Sequence, residues 1–221
     1  MTMDWSTVGS ATDQTSVEQF LWAADIASQI TSGEVTDVKE LSSSLLKVGI
    51  SFVSSHSIVL RVWQLLHDIE VLFNGLDDAA TAMDFFHASL ERHTAEADVV
   101  SCACELLAML ATKGLLKQHA DTRLVKAVIQ ELSGHAHSNQ VKRASLSILM
   151  TLATQGYEMY DKALLEPLLP VLMDILLVNR SEHDIVEAAA VVVYAAMKRD
   201  KGSVKVYYNN LVVSISNVLS F

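Results

Sequence analysis

Four sets of residues have types and spacings suited to chemistry. His135 and His137 flank Ala136 in a polar segment, and Cys102 and Cys104 lie upstream. A zinc ion needs three or four convergent ligands. The chain has no CxxC or HExxH spacing, and two cysteines two apart on a helix point about 200° away from each other. Small buried thiols and a polar turn account for these four residues. His87 and Glu91 are one helical turn apart, with His93 just beyond. Such a pair suits acid–base work, and equally a solvated helix pair worth a few tenths of a kcal/mol. Gly75-Leu-Asp-Asp78 places two carboxylates after a glycine but lacks the rest of a phosphate loop or of an EF-hand. A helix stop followed by an acidic helix start explains it. There is no nucleophile elbow, dinucleotide fingerprint or kinase set. The sequence therefore indicates no catalytic residue, no metal ligand and no cofactor.

The elements that would position any site are helices. Of 221 residues, 51% are hydrophobic and only two are proline and eight glycine. Such sparse punctuation favours long helices over an all-β fold. Residues 1–100 hold four Lys/Arg against fifteen Asp/Glu, and residues 101–221 hold twelve against eleven. A nucleic-acid partner needs a basic footprint, so none is expected. The acidic half suits a basic protein partner or serves solubility. The N-terminus shows no basic-then-apolar leader. The most apolar run, 163–178, is short and holds Glu166, Pro167, Pro170 and Asp174, so no membrane span is expected. With no disulfide framework, a reducing, cytoplasmic compartment is the expectation.

The helices repeat. Leu107-Ala-Met-Leu-Ala-Thr-Lys-Gly114 recurs as Leu149-Met-Thr-Leu-Ala-Thr-Gln-Gly156, five of eight residues identical at an offset of 42. Gly33, Gly75 and Gly202 close other apolar helical runs, so that glycines follow one another at 42, 39, 42 and 46 residues. That period marks stacked helical modules. The expected organisation is a polar tail or cap over 1–14, then one domain over 15–221 with modules near 15–50, 56–94, 95–134, 139–178 and 182–221. Trp22 and Trp63 fall in apolar runs and are expected in the core, whereas Trp5 lies in the polar tail. Helix ends are expected near Gly49 and Gly134, and Pro167 and Pro170 are expected in the first turn of a helix starting near Leu165.

The order is a long helix closed by Leu-x-x-Leu-Ala and glycine, a connector, and a second helix such as Leu124–Leu132 or Leu168–Leu176. A short polar loop then leads to the next long helix. This resembles armadillo repeats, with HEAT repeats as close relatives. The match is good over 95–221 and looser over 15–94. The resemblance implies an all-α, right-handed superhelix (solenoid) of about five helix pairs. Peptide-binding armadillo proteins carry an Asn ladder on the glycine-ended helix. Here the matching positions are Met109, Thr151 and, by a weaker alignment, Asp68; one turn earlier stand Glu105, Ser147 and Gln64. The ladder is absent, which argues against extended-peptide recognition of that kind. The same surface suits a folded partner or a helix.

The expectation is thus a non-enzymatic scaffold or adaptor that binds a protein partner, basic in character, on the curved inner face of the glycine-ended helices, through Gln64, Asp68, Glu105, Met109, Ser147 and Thr151. Some armadillo-like proteins regulate Hsp70-type ATPases, so a chaperone cofactor promoting nucleotide exchange is the alternative. A HEAT-like DNA-repair enzyme is a third, set against the acidic charge. The apolar Val218, Leu219 and Phe221 lack the polar outer face of a terminal module, which suggests a chain cut short, self-association through the last helix, or a docking site.

Overall fold

The computed structural model describes residues 15–18, 21–22, 38–73, 79–116, 122–154 and 162–199. Gly33, Gly75, Asp77, Asp78, Gly156, Gly202, Trp5, Val218, Leu219, Phe221 and the 1–14 tail lie outside them. Among the described residues all regular structure is helical and there is no strand. Eight long helices follow one another: α1 (Val38–Ser51), α2 (His56–Phe73), α3 (Ala79–Arg92), α4 (Ala97–Thr112), α5 (Thr122–Gly134), α6 (Asn139–Thr154), α7 (Lys162–Val178) and α8 (His183–Arg199). None of the described helices is long and apolar enough to cross a membrane. The chain divides into two compact units, Met1–Leu106 and Leu107–Phe221, with the division inside α4.

In the first unit, α1 packs on α2 and on α3. The apolar spacing of α2 buries Ile58, Val59, Val62, Trp63, Leu65, Leu66 and Ile69 almost completely, leaving a narrow stripe that includes Arg61, Gln64 and Asp68 half-buried. Trp63 stacks on Phe85 of α3, with ring centroids 4.4 Å apart and planes 13° from parallel. Its indole N–H donates to Ser89 Oγ at 3.2 Å, and that hydroxyl donates to the Phe85 carbonyl at 2.7 Å. The polar edge of the tryptophan is thereby satisfied inside the core. Trp22 departs from expectation at 68% exposed. Val17 and Leu21, one turn apart, take the inward positions, and Trp22 follows Leu21 by the 100° that one helical residue adds.

In the second unit α5 packs on α6 and α7, and α8 packs on α6 and α7. The four contacts close a ring in the order α5, α6, α8, α7.

Three helix ends show what the glycines and prolines do. After α4 the chain turns at Gly114, with φ +76°. The Leu115 N–H reaches the Leu110 carbonyl at 3.0 Å and the Gly114 N–H the Ala111 carbonyl at 2.9 Å, the paired bonds of a Schellman stop. Gly49 is not a stop, because α1 runs on to Ser51. It is small because the Phe85 ring fills the space a Cβ would take. Helix α7 begins at Lys162, so Pro167 and Pro170 stand inside it rather than in its first turn. Both are exposed while Leu168, Leu169 and Leu172 are buried. The backbone bonds they remove therefore lie on the water side, where a helix tolerates the loss best.

Candidate functional site

One turn recurs four times along the chain. Phe52, His93, His135 and Asn179 each donate a backbone N–H to the carbonyl four residues back, on Val48, Ser89, Glu131 and Ile175. Their own carbonyls accept from Ser55, Glu96, Ser138 and Glu182, at 2.8 to 3.0 Å. The carbonyls of those four residues then accept from Val59, Val100, Lys142 and Val186, opening the next helix. Corresponding residues are 41, 42 and 44 apart. A helix end, a tight turn and a helix start are built each time from the same three bonds, which supply partners to groups that helix termini leave orphaned. Ser138 adds a side-chain cap, its Oγ accepting from the Val141 N–H at 3.3 Å.

Side chains tie each acidic turn to the turn before it. In the first unit buried His93 donates from Nε2 to the Val53 carbonyl at 2.7 Å. A carbonyl only accepts, so the proton of this imidazole sits on Nε2. In the second unit the Nζ of buried Lys142 donates to Asn179 Oδ1 at 2.6 Å. The Asn179 amide in turn donates to the Ile175 carbonyl at 2.9 Å. Burial holds the Lys142 amine below the usual lysine range; Glu182 opposes that shift and Arg143 reinforces it.

The second and fourth turns also share an acidic signature, Glu-x-Asp, as Glu96/Asp98 and Glu182/Asp184. Each pair meets a basic side chain from the preceding turn or helix start. In the second unit Arg143 donates from Nη2 to Glu182 and from Nε to Asp184. The bond from Arg143 is the main cause that holds Asp184 below the usual carboxylate range. In the first unit the basic group is His56, whose Nε2 lies 3.1 Å from both carboxylate oxygens of Asp98. Burial pushes the Asp98 carboxyl up, but the His56 bond and the Val99 N–H outweigh it and leave the group below its ordinary value. Ligand atoms of His56, Glu96 and Asp98 all lie within 4.8 Å of one another.

Farther along α4, Asp98, Cys102 and Glu105 fall at i, i+4 and i+7 on one stripe. The Cys102 thiol is pushed up to about 11, first by burial and then by the carboxylates of Glu105, Asp98 and Asp68. Three carboxylates from α2 and α4 thus act on one half-buried thiol. At neutral pH Cys102 is a protonated, unreactive thiol, and the face around it is negative.

The residues singled out from sequence distribute as follows. Gln64 and Asp68 on α2, Glu105 and Met109 on α4, and Ser147 on α6 are half-buried. Thr151 is buried and its hydroxyl donates to the Ser147 carbonyl at 2.8 Å. Gln64 accepts from Arg61 at 3.3 Å. Among the acid–base candidates, His87 is buried with its ring edge-on to Phe86, Glu91 is exposed, and His93 is committed to the Val53 carbonyl. Of the residues considered for zinc, neither cysteine is in a disulfide. His135 lies 3.5 Å from Glu131, its i,i+4 neighbour. Burial alone pushes the Glu131 carboxyl up to about 7.

The sequence reading missed the cluster that does converge. Its members come from two turns some forty residues apart, and local motif scans do not cross that distance. The available signal was the repeat itself: His56 and Asp98 are one module apart.

No family model, curated protein or solved structure matches the chain.

Proposed function

We propose that the chain is a non-enzymatic interaction scaffold of the armadillo/HEAT kind, about five helix pairs in a right-handed stack, acting in a reducing compartment. The fourfold recurrence of one turn at 41 to 44 residues supports the repeat reading. The partner is a protein segment rich in lysine and arginine, held on the outward stripe of α2 and α4 in the first unit. The observation that carries this is the half-buried stripe of α4 on which Asp98 and Glu105 flank Cys102 at i, i+4 and i+7, in the acidic half of the chain. A half-buried negative face attracts a basic partner and speeds its encounter. Gln64 stands one turn before Asp68 on α2 as a neutral hydrogen-bonding group.

The test is affinity capture from lysate with identification of the retained proteins, run with wild type and with an Asp68→Asn/Glu105→Gln variant. The expected result is a set of basic proteins retained by wild type, released by moderate salt and lost in the variant. Retention of the same proteins by the variant, with the fold intact by circular dichroism, overturns the assignment of the face.

A further inference from the structure

We propose that His56, Glu96 and Asp98 form a binding site for one divalent transition-metal ion of the zinc class. Among the described residues this is the group in which three potential ligands converge, one imidazole and two carboxylates within 4.8 Å of one another. Two elements of the fold place them. His56 opens α2, while Glu96 ends the turn before α4 and Asp98 stands in its first helical turn. The two turns are joined by the His93 bond to the Val53 carbonyl. The Val99 N–H orients the Asp98 carboxylate at 2.8 Å. The ligands are thus side chains on a braced frame.

The second unit provides an internal comparison. There the same Glu-x-Asp frame closes on Arg143, a permanent cation with no lone pair to give. In the first unit the group against the frame is a histidine. A neutral imidazole leaves the charge of the carboxylates in place and contributes a nitrogen lone pair. Two carboxylates and an imidazole suit zinc and its transition-metal neighbours, whereas calcium and magnesium prefer all-oxygen sets.

The geometry is close. Ligands about 2.0–2.2 Å from zinc in a tetrahedron lie roughly 3.3 Å apart, and His56 Nε2 is 3.1 Å from Asp98. The side chains of His56 and Asp98 are about half exposed and Glu96 is exposed, so rotation of the glutamate closes the remaining gap. On binding, the Nε2 proton moves to Nδ1 or leaves to solvent, and the His56–Asp98 hydrogen bond becomes two bonds to the ion. A fourth position stays open for water.

The experiment is calorimetric titration of the chelator-treated full chain with Zn2+, paired with the absorption spectrum of the Co2+ form. Wild type is expected to bind one ion saturably. Its cobalt spectrum is expected to show nitrogen and oxygen ligation without a thiolate band, which separates this site from Cys102. Asp98→Asn is expected to weaken binding at least about tenfold, in the range seen when a metal site loses a supporting group. His56→Arg sets a cation with no lone pair against the same carboxylates, so it is expected to fold and to lose the ion. Absence of saturable binding by wild type overturns the proposal. So does unchanged binding by folded His56→Arg, or loss of binding in a His135→Ala/His137→Ala variant in place of these.

Discussion

Replacing Gly49 by alanine tests how tightly the first unit is packed. In a helix interior this change ordinarily stabilises by about 1 kcal/mol. Here the added Cβ would lie 2.4 Å from Phe85 Cζ, 2.6 Å from Cε2 and 2.8 Å from Cε1. Ordinary contact begins near 3.4 Å, so the ring must withdraw by about 1 Å, the difference between those two distances. It has little freedom to do so. Phe85 is fully buried and stacked on Trp63, and the Trp63 indole is anchored to Ser89. Overpacking of this kind costs about 1–3 kcal/mol, which exceeds the propensity gain. Because the ring cannot withdraw, the upper end of that cost applies, and Gly49→Ala is expected to lower unfolding free energy by about 2 kcal/mol after the propensity gain, measured by urea denaturation followed through tryptophan fluorescence. Phe85→Leu removes the ring, and on that background Gly49→Ala is expected to be neutral or stabilising. The double-mutant cycle isolates this coupling. A Gly49→Ala protein as stable as wild type, or the same loss on the Phe85→Leu background, refutes the packing argument.

Gly114→Ala forces a Cβ onto a left-handed residue and is expected to cost about 1–2 kcal/mol, although open space surrounds the site; denaturant midpoints against wild type decide it. Asn179→Ala strips the buried Lys142 ammonium of its acceptor at 2.6 Å. A loss of about 1.5–3 kcal/mol is expected, recovered in large part by Lys142→Met in the same chain, as thermal melts of the single and double variants will show. Glu131 gives a pH dependence of definite sign. Its folded-state carboxyl is raised to about 7 from 4.5, so protonation favours the folded state. The resulting penalty is absent below about pH 4.5, grows as pH rises and is complete above about 7, with a ceiling of roughly 3 kcal/mol. Glu131→Gln is expected to raise stability at pH 8 and leave it nearly unchanged at pH 4, read from denaturation curves at both values. Equal effects at the two pH values would show that the carboxyl is not the cause.

The sequence carried the helices and their period because both follow from apolar spacing. Leu107 to Gly114 already states a helix and its stop, and the φ of Gly114 confirms the residue's role. The same rule misassigned Gly49, because a glycine required by a neighbouring ring looks, in sequence, like one required by a turn. Trp22 was misplaced for a related reason: an apolar run gives composition, and the inward face depends on the phase set by Val17 and Leu21. Helix α7 began earlier than expected because an exposed proline is tolerated inside a helix, and exposure is not legible from one strand of text. At the candidate site Asp68 and Glu105 were singled out by repeat position. The convergence on Cys102, and the cluster of His56 with Glu96 and Asp98, needed the turns to be superposed first.

A recurring turn separates what packing fixes from what it leaves free. Among the described residues the same three backbone bonds recur at four turns because each must close one helix and start another. Outward positions carry no such constraint, and it is there that the two units differ. The stripe holding Gln64, Asp68 and Glu105 is polar and negative, whereas half-buried Ala188, Val191 and Ala195 on α8 are small and apolar. The charge imbalance between residues 1–100 and 101–221 fits that division. The Glu-x-Asp frame follows the same logic at single-residue resolution. With Arg143 against it the frame is a self-contained ion pair between modules, complete without any ligand. With His56 against it the same backbone presents a group whose charge depends on pH and whose lone pair can be given to an ion. The clasp and the candidate site thus differ in what reaches the frame: Arg143 from the second turn of α6, His56 from the first residue of α2.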